Sequence, residues 1–375
     1  MRPGEWVFDF YDASARKPFE FYRKLLNTWI ARYPNTERTE IVRRFSKGSD
    51  SQYFAALAEV IVHEAIVSGP GKIKHHPTLA SSSARPDFLK YSMSDDVEAY
   101  VEVTTCAPTD QAIASGNRLA SIYNAIEKIS PPLGYCFGIS VEEHGATSPS
   151  LILLKEEIKN WVDNVKDNIM HQGQDSRVFA FSDWKIELQL MRFSSPGKKA
   201  DSAIGAYFTG ARWIDASSDL RSRLEGKSRR YGVLGAPFLL VIADCKGEIG
   251  WAESAKRELI EALFGDEAFT VWQDTSGNFG AEPRRNLNGF FGDPDVPKNQ
   301  NVSAVLLLPQ PDLWGLRNPL HQPLLVHNPW SRHPLCRSVL PVPNLQLGPD
   351  GHLHENIGVS LADLLALPTN WPPPF

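Results

Sequence analysis

Cysteine is scarce. Cys106, Cys136, Cys245 and Cys336 are the only four among 375 residues, they are scattered, and no CxxC pair occurs. That pattern argues against a cysteine-built zinc site and against a disulfide framework, and reads as reduced, mostly buried thiols. A basic excess is also missing. Lysine and arginine total 39 against 44 acids, a formal net charge of −5. A polyanionic partner would therefore need a local basic patch, because the chain as a whole does not attract one. Long apolar runs are absent too. APFLLVIA (236–243) and SAVLLLP (303–309) are far too short to cross a bilayer. The first residues, MRPGEWVFDFYDASARK, carry acids and no apolar stretch, unlike a secretory signal. No GxxxxGK[ST] phosphate loop and no GxSxG elbow occurs. These absences lead to the expectation of a cytoplasmic, soluble protein with no membrane partner.

What is present is ordinary globular material, with 42% hydrophobic and 22% charged residues. The length suggests two to three domains, or one domain with large elaborations. Apolar residues at helical spacing predict a helix over 18–33 and a second over 37–46. A third begins at Ser51 as its cap, carries a stripe of Phe54, Leu57, Ala58, Ile61 and Ala65, and stops at Gly69-Pro70. Three short strands follow at 72–79, 86–91 and 97–105, then a helix over 110–129 and a buried strand over 134–141. The order helix, three strands, helix, strand reads as a compact α/β unit ending near 145. Later stretches predict a helix at 153–169, a half-exposed strand at 183–193, a loop at 194–206 and a basic helix at 218–235. A buried strand at 236–245, a helix at 253–265 and a strand at 302–310 complete the series. From 266 to about 300 the chain reads as loop-rich, and the proline-dense last 50 residues read as extended chain over the domain. The expected division is a helical segment at 1–50, an α/β core at 51–145, a second α/β region at 146–300 and a proline-rich extension at 301–375.

Within 85–105, RPDFLKYSMSDDVEAYVEVTT, an acid follows a proline and a second acid stands in the middle of an apolar strand. Acids are depleted in strands, and a buried one needs a partner, so Glu102 calls for an explanation. Carboxylates converging from neighbouring strands suit a hard divalent cation such as Mg²⁺ or Mn²⁺, which keeps several waters and needs few protein oxygens. Asp87, Glu102 and the Val103 carbonyl form the candidate set, with Glu59 of the preceding helix assisting through water. The cation would polarise a phosphodiester and lower the pKa of an attacking water.

A helix with an internal Glu59, then Arg85-Pro86-Asp87-Phe88, then Tyr100-Val101-Glu102-Val103-Thr104, then a helix and a buried strand, resembles the PD-(D/E)xK nuclease superfamily. It looks closest to bacterial members with Thr in place of the motif Lys. KSRRYGVLGAPF (227–238), Ala262–Gly265 and His327-Asn328-Pro329 look similar to the same branch. The resemblance implies a restriction-endonuclease-like α/β fold, a Mg²⁺- or Mn²⁺-dependent hydrolase acting on DNA or RNA, and a place in bacterial defence. Here Thr104 stands where the pattern puts its lysine. Lys90 starts on the wrong strand face to replace it. Lys128 and Arg118 on the following helix are better placed, because the superfamily sometimes moves its lysine there, and Lys128 is the replacement expected to join Asp87, Glu102 and Glu59 in catalysis. The other readings are catalysis by metal alone, or a surface that binds nucleic acid or nucleotide and has lost cleavage.

Arg221, Arg223, Lys227, Arg229 and Arg230 group on one helix and suit a phosphate clamp as well as a solvated face. His63 and Glu64 read as structural, as do His75-His76 and the HNPWSRH stretch (327–333). Trp272, Phe290, Phe291, Trp314 and Trp330 offer an aromatic surface for a protein partner. Nucleic acid is the expected partner, with a homodimer or a protein partner left open.

Overall fold

The computed structural model describes residues 6–47, 49–80, 82–106, 110–143, 145–165, 175–181, 183–192, 203–208, 216–245, 252–273 and 279–372. The chain divides into two compact units, one built from 1–107 and 215–375, the other from 108–214. The first unit is therefore discontinuous in sequence. This differs from the expected core at 51–145, and the reason lies in strand pairing.

In the first unit, α1 (Val7–Ala13), α2 (Lys17–Ile30), α3 (Asn35–Lys47) and α4 (Asp50–Val67) precede a hairpin series. Helix α4 is capped by the Ser49 hydroxyl, which accepts from the Gln52 N–H at 3.4 Å, and not by Ser51. The turn Ser68–Gly71 leads into β1 (Lys72–His75), β2 (Phe88–Tyr91) and β3 (Val97–Thr105). Gly71 has φ +115°, and a Cβ there would stand 2.1 Å from the Tyr91 carbonyl oxygen, so the close approach of α4's exit to β2 requires glycine.

Strand β3 then pairs in parallel with β8 (Phe238–Asp244), which follows α7 (Ala216–Ser228). The next helix, α5 (Asp110–Glu127), and the strand after it, β4 (Tyr135–Glu143), belong to the second unit. The expected completion of the core by 110–141 is thus corrected. The helix and strand that join β3 come more than a hundred residues later in the chain. Local periodicity identifies a buried strand but does not say which sheet receives it.

The full sheet of the first unit is eight-stranded and mixed, in the order β1-β2-β3-β8-β11-β12-β13-β14. Strand β11 (Ala304–Pro309) lies parallel to β8, and β12 (Leu324–His327), β13 (Asn344–Leu347) and β14 (Leu353–Asn356) extend the far side. The proline-rich C-terminal stretch is therefore built into the sheet as well as laid over it. Alternation along β3 divides the sheet into two faces. Ala99 and Val101 join Leu239, Val241 and the apolar side of α1–α4 in one core, which also takes Leu361 of the short helix α9 (Leu361–Leu364). Tyr100 faces the other core with Leu240, Ile242, Leu220 and Leu224 of α7, and Leu259 and Leu263 of α8 (Ala252–Phe264). The region after α8, expected as loop, carries the hairpin β9 (Glu267–Gln273) and β10 (Phe279–Arg285).

The second unit has its own core. Strands β4, β5 (Asp175–Phe181), β6 (Trp184–Arg192) and β7 (Ile204–Phe208) form a sheet ordered β5-β6-β4-β7, packed with α5 and α6 (Leu151–Val165) around Ile126, Phe137, Trp161 and Leu188. Most of the loop expected at 194–206, and 166–169 of the helix expected there, lie outside the described residues.

Among the described residues no helix is long and apolar enough to cross a membrane. The aromatic surface expected for a partner is largely core. Phe290 and Phe291 are fully buried, Trp314 stacks on Trp371 at 5.2 Å, and Trp330 packs on Phe264. Trp272 on β9 is the exposed one of the five.

Candidate functional site

The site is built from the β2–β3 hairpin and the end of α7. Phe88 pairs with Val101, so continuing the antiparallel register sets Asp87 opposite Glu102. The two carboxylates that the sequence pointed to are brought together. Glu102 is 3% exposed on the face that carries Tyr100 and Thr104. Asp87 is half-buried, and its Oδ2 accepts the Val103 N–H at 2.7 Å. The amide of Val103, not its carbonyl, is thus the group seen against Asp87. Thr104 is half-buried on the same strand.

Helix α7 delivers the countercharge. The Lys227 Nζ donates to Glu102 Oε1 at 2.6 Å, and the Tyr231 hydroxyl donates to Glu102 Oε2 in a short hydrogen bond. The Arg230 guanidinium lies 3.9 Å from Oε1. A mid-strand acid at this burial is affordable only with such partners. The lysine on Glu102 therefore comes from α7, and not from the segment that carries Lys128, which follows α5 in the second unit. Lys90 is only 2% exposed and donates to the Ser338 and Val339 carbonyls beside Glu98, so it is committed elsewhere.

The basic helix expected as one clamp is split by its contacts. Arg221 pairs with Asp266 at 2.6 Å, Arg223 donates to the Thr105 carbonyl at 3.3 Å, and Lys227 binds Glu102. Arg229 and Arg230 remain exposed. Helical spacing from 221 to 230 points these side chains to different sides, and α7 ends at Ser228.

The electrostatics of Asp87 are unusual. Its carboxyl is held well above the ordinary carboxylate range, first by burial and then by the neighbouring Glu102 and Glu59 carboxylates. The Val103 amide and the Lys227 ammonium oppose this and do not cancel it. Glu59 is itself 7% exposed and is held by Arg44 at 2.5 Å. The Tyr231 phenol is pushed up by burial and by Glu102, so it stays protonated as a donor.

Compared with protein-family models, with curated proteins and with solved structures, the chain matches none of them. Among the described residues no group of three or more His, Cys, Asp and Glu side chains is arranged to hold a metal ion. What the site offers is two carboxylates. Asp87 Oδ1 and the Glu102 oxygens, which already accept from Lys227 and Tyr231, are the atoms that could hold a hard cation.

The remaining candidates lie in other contacts. His63 Nδ1 lies 3.0 Å from Glu64 Oε1, and Arg32 pairs with the other Glu64 oxygen. His76 meets Glu37 at 3.3 Å, and Asn328 donates to the Asn299 and Val302 carbonyls. Tyr231 is the residue that sequence reasoning missed. Its signal was its place four residues after Lys227 in KSRRY, just before Gly232, where φ is +66° and the chain turns toward β8.

Proposed function

We propose that the chain is a metal-dependent nuclease-like protein acting on DNA or RNA phosphodiesters, with a restriction-endonuclease-like core made of α4, β1–β3, α7 and β8. The observation that carries this reading is the Lys227 Nζ 2.6 Å from Glu102 Oε1, beside Asp87. The PD-(D/E)xK pattern asks for two acids and a lysine at one point. Thr104 leaves the strand position without an ammonium, and Lys227 supplies one from the helix packed on the same sheet face.

In this reading Asp87 and Glu102 hold Mg²⁺ or Mn²⁺, which supplies Lewis acidity and a water of lowered pKa. Lys227 sets positive charge where the negative charge of the phosphodiester grows. Glu59, held by Arg44, raises the demand for a cation at Asp87. Arg229 and Arg230, exposed beyond the end of α7, meet backbone phosphates. A role in bacterial defence would be one use of this activity.

The test is cleavage of plasmid, linear and single-stranded DNA and of RNA with Mg²⁺ or Mn²⁺. Wild type is run beside Asp87→Ala and Lys227→Met. Loss of about 100-fold in kcat in Lys227→Met, and of all activity in Asp87→Ala, is the expected result. Equal activity in all three would overturn the site.

A second reading has its own observation. Both Glu102 oxygens are already held by the chain's own donors, Lys227 and Tyr231, as in a closed structural pairing. A nucleic-acid-binding module with a silent site would show no cleavage, with salt-dependent retardation of DNA or RNA lost in Arg229→Ala/Arg230→Ala.

A further inference from the structure

The grip on Glu102 is asymmetric. On one oxygen it has a charged, partly exposed donor: the Lys227 side chain is 26% exposed. On the other it has a neutral donor on a rigid ring. Tyr231 is 1% exposed, its ring meets Phe238 edge-on at 5.7 Å, and the Arg230 guanidinium lies 5.9 Å above it. Lysine has four rotatable bonds and can carry its ammonium between neighbouring acceptors, while a buried phenol packed against a strand residue is held in place. The ring is itself anchored on the strand that pairs with β3, because Phe238 is the first residue of β8 and is in register with Tyr100.

We infer that Tyr231 is the positioning residue for Glu102: its hydroxyl fixes Oε2 and with it the rotation of the carboxylate. Lys227 and any cation then share a carboxylate that is already oriented. This rests on the reading proposed above for its catalytic consequence, and on the contacts of Glu102 for the positioning itself. Lys227 is free to leave Oε1 for a phosphate oxygen without releasing the acid, because Tyr231 keeps the second oxygen. The hold on Oε2 comes from the segment that enters β8.

Tyr231→Phe removes one oxygen and keeps the ring against Phe238. In an active enzyme it should lower kcat about tenfold and weaken Mn²⁺ binding by calorimetry by a similar factor, with KM for DNA unchanged, because the substrate's own contacts are untouched. A merely structural role would leave kcat and Mn²⁺ affinity alone below the unfolding temperature, and that result would overturn the inference. Should wild type neither take up Mn²⁺ nor cleave, the nuclease reading falls, and the positioning is decided by crystal structures of wild type and Tyr231→Phe: the Glu102 carboxylate should turn away from its wild-type rotation once Oε2 loses its donor. A carboxylate in the same rotation in both would overturn the inference on its own.

Discussion

Helix α4 and the β2–β3 hairpin both bury acids; Glu102 is met by donors as the acids of α4 are, and Asp87 is not. On α4, Glu59 has Arg44 and Glu64 has Arg32, each in direct contact, and His63 adds a second neighbour to Glu64. On the hairpin, Asp87 has one backbone N–H, and two carboxylates act against it. Compensated acids hold helices together. An acid left short of positive charge between two others is a place where a cation gains most. The contrast sets Asp87 apart from the compensated carboxylates of this fold, Glu102 among them, without appeal to motif.

The contrast is broken most strongly on the compensated side. Arg44→Met leaves Glu59 at 10% side-chain exposure without its guanidinium, and should cost about 2–3 kcal/mol. The urea midpoint, at unchanged slope, measures it. On the uncompensated side the sign reverses. Because the Asp87 carboxyl is raised in the folded protein, that state keeps a proton the unfolded chain has already released. Stability therefore falls as pH rises from the ordinary value of 3.8 toward the raised one. In chelator, Asp87→Asn should stabilise at pH 7, a gain that disappears below pH 3.8, while cleavage is lost. Destabilisation at pH 7 would show that Asp87 is compensated after all.

A smaller effect sharpens the same comparison. Burial, then His63 and His76, lower the His75 imidazole from 6.5 to about 4. The unfolded chain binds the proton first, so this group makes stability rise with pH between about 4 and 6.5, opposite to Asp87. His75→Phe, whose ring keeps the contacts with Tyr33 and Phe88, should flatten that rise in thermal unfolding followed against pH.

Much of the local structure was legible. Leu57, Ala58 and Ile61 marked the buried side of α4, and Tyr100, Glu102 and Thr104 were on one face of β3 as alternation required. Asp87 and Glu102 stood out because an acid in a Val- and Tyr-rich strand is costly to bury. What was not legible depends on distance along the chain. Lys227 lies 125 residues from Glu102, and its neighbours Arg221 and Arg223 look identical to it in sequence until Asp266 and the Thr105 carbonyl claim them. Phe290 and Phe291 looked like an exposed aromatic patch and are core.

The sequence alone determined which segments are helix and strand through much of the chain, and which two acids are out of place, because periodicity and the cost of buried charge act within a few residues. The tertiary structure decided the rest. It chose β8 over β4 as the parallel neighbour of β3, set the second unit apart as an insertion between them, and placed Lys227 and Tyr231 on Glu102. Those choices depend on which apolar faces close on each other across long separations, and no local pattern carries that information.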